Sequence, residues 1–209
     1  MGDLIGSEKA TSRADLHRLF NAEVDAANSQ DEPSLISPLT ITLGDEFQGL
    51  TSTFLGAISL IQKLRMRLLA SGVECRFAIG LVRLEAPLNE KTAWNMMGQG
   101  LAETREKLNE KAENPYRFFL GPTKPMMSVL MEAVGRSLAH LEKGWTDRQK
   151  QVAVRLALGE PATELSRSLK IHIRTLYKIR EAAQYDFYMG QWASLFDIAG
   201  DLDVEYRLT

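Results

Sequence analysis

The spacing of apolar residues changes character near residue 145. Upstream, runs that alternate at period two, such as Leu39-Thr40-Ile41-Thr42-Leu43, take turns with runs at helical period, such as Phe54, Leu55, Ile58, Ile61, Leu64 and Leu68. Alternation sends side chains to the two faces of a strand, while the 3.6-residue period gathers them on one face of a helix. Downstream of Trp145 only the helical period remains, in short pieces cut by Gly159-Glu160-Pro161 and by Lys170-Ile171-His172. In a chain of 209 residues this break predicts an α+β domain over 1–143 and an all-α domain over 144–209.

The upstream elements read in order as follows. A short strand ends near Leu4-Ile5, a helix covers 12 to about 27, and a strand covers 39–43. A turn at Gly44-Asp45 leads to a return strand over 46–50. A helix over 52–70 ends at Gly72, and a strand covers 74–84. A helix over 90 to about 111, a strand over 116–120 and a helix over 126–143 complete the domain. A strand usually needs about five residues, so the first one is expected to be cut short at Met1 or to begin upstream of it. The order β-α-β-β-α-β, then α-β-α, is that of a ferredoxin-like or palm-like (nucleotidyl-cyclase-like) domain with additions.

Composition narrows the chemistry. Cys75 stands alone, so no disulfide framework and no cysteine-rich zinc site can form, and a reduced, cytoplasmic setting is expected. His17, His140 and His172 are scattered and do not suggest a histidine metal site. No apolar run reaches 18 residues, and the start of the chain lacks the features of a secretory signal. Carboxylates are more suggestive. Asp3 falls at the first strand, and Asp45 and Glu46 at the hairpin turn. In this strand order the two lie side by side, so Asp3, Asp45 and Glu46 are candidate ligands for Mg²⁺, which takes one or two carboxylates plus phosphate oxygens. Arg76 and Arg105, with Gly44 and Ser7, are candidate phosphate or ligand contacts. A plainer alternative is that Gly44-Asp45 only makes a turn and that Asp3 and Ser7 cap the first helix.

Gly2-Asp3-Leu4-Ile5-Gly6-Ser7 and Thr42-Leu43-Gly44-Asp45-Glu46-Phe47-Gln48-Gly49 together resemble the SatD family of bacterial proteins. Members pair a GD-[IL]-I-x-S element with T-x-G-D-E-F-Q-G. Arg76-Phe77-Ala78-Ile79-Gly80 is similar to a later strand of the family, and Gly98 to Glu106 is similar to its G-P-A-x-x-x-A-R-E helix. Val82 replaces the usual second glycine after Gly80, and Gln99-Gly100 replaces Pro-Ala. The resemblance implies a bacterial cytoplasmic protein and no settled biochemical activity. A likeness to GGDEF-type cyclases, through Asp3 and the Gly44-Asp45-Glu46-Phe47 hairpin, is topological analogy.

Charge is split along the chain. The total is −2, but residues 145–184 carry eight Lys/Arg against four Asp/Glu, and residues 185–209 carry five Asp/Glu against one Arg. The basic stretch coincides with helix, short helix, tight turn, helix, and resembles the LuxR and sigma-region-4 type of helix-turn-helix. Val152, Leu156, Leu165, Leu169, Ile171, Leu176 and Ile179 are its expected core. His172, Arg174, Thr175 and Lys178 are candidate base-contacting residues, and Arg148, Lys150 and Arg167 candidate phosphate contacts. The acidic tail is expected to shield the basic face, and its Tyr188, Trp192 and Phe196 to serve as core or dimer interface.

Two function classes follow. The first is a DNA-binding transcriptional regulator, dimeric on double-stranded DNA, with a ligand-sensing or assembly domain in front. The second is a Mg²⁺-dependent nucleotide-binding or nucleotide-processing protein of cyclase-like fold.

Overall fold

The computed structural model describes residues 1–6, 12–29, 34–42, 44–110 and 114–208. Its first half runs β1 (Gly2–Leu4), α1 (Arg13–Ser29), β2 (Leu35–Ile41), β3 (Glu46–Thr51), α2 (Phe54–Ala70) and β4 (Cys75–Gly80). Then come β5 (Arg83–Leu84), β6 (Gly98–Gln99), α3 (Leu101–Asn109), β7 (Tyr116–Phe119) and α4 (Pro125–Gly144). Four helices finish the chain: α5 (Asp147–Ala157), α6 (Ala162–Ser168), α7 (Ile173–Ala182) and α8 (Tyr185–Tyr206).

The fold is mixed α+β, with a five-stranded sheet in the order β2-β3-β1-β4-β7. The short β1 is central and antiparallel to both neighbours, with Asp3 opposite Glu46 on one side and Arg76 on the other. β2 forms an antiparallel hairpin with β3, and β4 runs parallel to β7. Pro38 lies in β2, where an edge strand tolerates its missing N–H and the register shifts nearby.

One sheet face carries Phe47, Phe77 and Phe118 into the larger core, against α1, α2, α4 and α8. Ring contacts run unbroken from Phe20 through Phe47, Phe77, Tyr116, Trp192 and Tyr188 to Trp145, with centroids 4.8 to 6.5 Å apart. Such edge and offset contacts add to the area that aromatic side chains bury. A second, smaller core joins Val152, Leu165 and Leu176, with Leu156, Leu169, Ile171 and Ile179 packed around them. These are the seven residues whose spacing predicted a shared centre for α5, α6 and α7.

Three elements depart from the sequence reading. The helix expected over 90–111 is instead an extended loop, the short β6 paired with β5, and the nine-residue α3. Gly100 is the reason: its φ is +93°, and a Cβ there would lie 2.2 Å from the Leu81 carbonyl oxygen. β2 begins at Leu35, four residues before the expected strand. α8, assigned by sequence to the all-α region, packs on α2 and α4 and contributes Tyr188, Trp192, Leu195, Ala199 and Leu202 to the larger core.

Candidate functional site

On the opposite face of the sheet, pairing sets a row of charges. Asp3 stands between Glu46 and Arg76 on adjacent strands. Arg76 Nε lies 3.1 Å from Asp3 Oδ2, an ion pair without hydrogen-bond alignment. Arg105 reaches in from α3, with Nη1 3.8 Å from Glu46 Oε2 and Nη2 donating to Gln48 Oε1 at 3.1 Å. Gln48 Nε2 donates to the Ala93 carbonyl. Asp45 closes the hairpin, where its carbonyl accepts from Leu4 N at 3.0 Å and Gly44 turns with φ +84°.

The row therefore brings together Asp3, Glu46, Arg76 and Arg105 among the expected site residues. Ser7 lies outside the described residues. Asp3 and Glu46 each face a guanidinium, and the described residues gather no group of three or more His, Cys, Asp or Glu side chains able to hold a metal.

Two helices of the basic segment, α5 and α7, carry side-chain caps. Thr146 opens α5, accepting at Oγ1 from Gln149 N, while Gln149 Oε1 accepts from Thr146 N. Lys170 at φ +52° turns the chain between α6 and α7, and His172 caps α7 by accepting at Nδ1 from Arg174 N at 3.2 Å. His172 is thus a cap, although its ring stays exposed. α7 turns Leu176 and Ile179 inward and leaves Arg174, Thr175, Tyr177 and Lys178 exposed.

The remaining cations divide. Arg155 grips Glu160 through two 2.6 Å hydrogen bonds, and Arg180 pairs with Asp186. Arg148 donates to Gln151 Oε1 at 2.8 Å and to the Leu169 carbonyl at 3.4 Å. With Lys150 it lines a cleft of about 660 Å³ between α5 and the C-terminal end of α2. Arg167 is exposed. Among the described residues, no carboxylate lies within ion-pair distance of Arg167, Lys170, Arg174 or Lys178.

The acidic tail does not lie over that face. Asp203 caps α2, its two carboxylate oxygens accepting from Phe54 N at 2.6 Å and Leu55 N at 3.0 Å. Glu205 pairs with Lys124 at the start of α4. Among the described residues, Asp186 is the tail acid that pairs with the basic segment, at Arg180.

A buried polar cluster was invisible to pattern reading. Glu142 Oε2 accepts from Arg65 at 2.7 and 3.0 Å, and its Oε1 accepts from Tyr116 at 2.7 Å and Tyr188 at 2.8 Å. Arg65 also donates to the Cys75 carbonyl at 3.2 Å. Burial, followed by the Glu142 charge, pushes both tyrosine hydroxyls well above their usual range. Burial pushes the Cys75 thiol up to about 12, so it is inert at neutral pH. Only the positions of Arg65 and Glu142 on apolar helix faces hinted at this pair.

Fold and sites together describe an α+β sheet protein carrying a small basic three-helix unit between α4 and α8. The chain belongs to the SatD family, whose family model matches residues 1–115. The match ends before β7, so α4 to α8 lie beyond it. No match was found among curated proteins or among solved structures. Among the described residues no helix is long and apolar enough to cross a membrane.

Proposed function

We propose that the protein is a bacterial, cytoplasmic, DNA-binding transcriptional regulator. In this reading α6 and α7 form a helix-turn-helix of the LuxR and sigma-region-4 type, and the sheet domain senses a ligand or mediates assembly. One observation carries it: α7 is anchored through Leu176 and Ile179 and presents Arg174, Thr175 and Lys178 together, with no carboxylate to neutralise them among the described residues. Lys178 is a neighbour of Arg174 at i,i+4 and of Thr175 at i,i+3, and the surface they form suits major-groove edges and phosphates. Arg167 and the Arg148–Lys150 cleft flank it as phosphate contacts, and a homodimer would present two copies to paired half-sites.

The strand order β2-β3-β1-β4, antiparallel at each step, supports a ferredoxin-like, palm-like ancestry for the sheet domain. The Mg²⁺-dependent nucleotide-processing reading draws no support from the charged row, where both central carboxylates face guanidinium groups.

The test is anisotropy of labelled duplex fragments drawn from the encoding genome, at several salt concentrations. Affinity should fall steeply with salt, and Arg174→Ala with Lys178→Ala should cost about tenfold or more and lower the salt slope by up to about two. Unchanged affinity in the double variant would refute the assignment.

A further inference from the structure

Trp94 is 51% exposed and Met97 is 68% exposed, yet their segment is firmly held. Asn89 Oδ1 accepts from Lys91 N and Thr92 N at 3.1 Å, and Asn89 Nδ2 donates to the Trp94 carbonyl at 3.2 Å. Ala93 N donates to Thr40 Oγ1 at 2.9 Å, and the Ala93 carbonyl accepts from Gln48. Glu85 N donates to the Met97 carbonyl at 2.9 Å. The backbone on both sides of Trp94 is thus tied to β2, β3 and the strand β5. An indole held in water on fixed backbone forgoes the large burial such rings ordinarily gain.

Arg105 stands on the same cavity. Together with Gln48, Trp94, Met96, Met97 and Leu101 it lines a space of about 450 Å³. That volume falls in the range of small-molecule sites, which are mostly apolar walls with a few placed polar groups. Among the described residues Arg105 makes one hydrogen bond, to Gln48, and Glu46 at 3.8 Å is beyond hydrogen-bond reach. A guanidinium carries five N–H donors in a planar fork, so several remain for an anion. The indole offers a stacking face, and the thioethers adapt to a ring edge. Glu46 nearby keeps the positive excess small, which favours one anionic group over a polyphosphate chain.

We propose that this cavity binds a small planar aromatic anion, a nucleoside monophosphate or an aromatic carboxylate, with its ring against Trp94 and its anionic group on Arg105. The site gives the sheet domain a ligand, and it stands apart from the DNA reading because its assay contains no DNA.

Tryptophan emission tests it on the full chain. Trp145 and Trp192 are buried, so a ligand-dependent change reports Trp94. The titrants are AMP, salicylate, adenosine and inorganic phosphate. AMP or salicylate should give a saturable change, and whichever binds more tightly identifies the source. Adenosine and inorganic phosphate should each bind about tenfold more weakly or worse, since each lacks one half of the recognition. Arg105→Gln should weaken the anion about tenfold or more while leaving adenosine unaffected. Trp94→Phe, read by calorimetry, should keep most of the affinity, and matching thermal melts establish that both variants fold. No saturable binding of either anion overturns the proposal. So does adenosine binding as tightly as AMP, or an Arg105→Gln variant indistinguishable from the parent.

Discussion

Glu142 is 4% exposed and accepts four hydrogen bonds, two from Arg65 and one from each of two tyrosines. A buried carboxylate persists only when its charge is paired and its lone pairs are filled, and here both conditions are met. Its partners come from α2, β7 and α8, so one side chain registers three elements against α4. Glu142→Gln keeps the shape but leaves Arg65 buried at 3% exposure, with Glu74 as its remaining counter-charge among the described residues. Removing one partner of such a pair should cost about 3 kcal/mol or more in urea unfolding. Exchanging both, Arg65→Met with Glu142→Leu, should cost less than Glu142→Leu alone, because no unpaired charge is left behind. A Glu142→Gln variant as stable as the parent would show that the cluster contributes nothing.

At the scale of elements, the C-terminal helix reaches back to the start of α2. Thr53 caps α2 in the ordinary way, accepting from Gly56 N at 3.0 Å, and Asp203 adds its carboxylate to the N–H groups of Phe54 and Leu55. A negative charge on free N-terminal N–H groups is favoured by both hydrogen bonding and the helix dipole. Asp203→Ala should therefore lower stability by about 1–2 kcal/mol, and Asp203→Asn by less. A denaturation midpoint unmoved by Asp203→Ala would count against the cap. Nothing in a window of local sequence links residues 149 positions apart, so this contact was illegible beforehand. The three short helices were legible for the opposite reason. Their core residues, from Val152 to Ile179, recur at helical period within one short stretch, and Pro161 and Thr146 mark their starts. The 90–111 segment misled because its composition suits a helix while Asn95 at φ +56° and Gly100 at φ +93° forbid one. Gly98-Gln99-Gly100 was the signal available. On the sheet, strand order pointed to Asp3 lying beside the β2–β3 hairpin, and the register sets it opposite Glu46, but Arg105 joins them through a helix packed across the face, which spacing along a strand cannot show.

For the whole molecule, the −2 total conceals regions that the fold uses differently. Three acids of α8, Asp203, Glu205 and Asp186, engage α2, Lys124 and Arg180, while Arg174, Thr175 and Lys178 on α7 stay exposed. The deep core holds a different set of acids, and these make stability depend on alkaline pH. The Cys75 thiol is raised to about 12 from an ordinary 9.0, chiefly by burial. Tyr116 and Tyr188 are raised well above 10.0 by the same cause. Below pH 9 all three are protonated in both folded and unfolded chains, and their contribution is complete. As pH rises past 9, the unfolded chain releases the Cys75 proton while the folded chain keeps it, so stability falls by about 1.4 kcal/mol per pH unit. Above 10 the two tyrosines steepen that fall in the same direction. The melting temperature should therefore drop with increasing slope from pH 9 toward pH 11. Cys75→Ala separates the contributions: its melting temperature should stay nearly flat between pH 9 and 10, where the parent already declines, and both should then fall together. If the parent's melting temperature were flat across pH 9 to 11, the three hydroxyl and thiol groups could not be buried as this core requires.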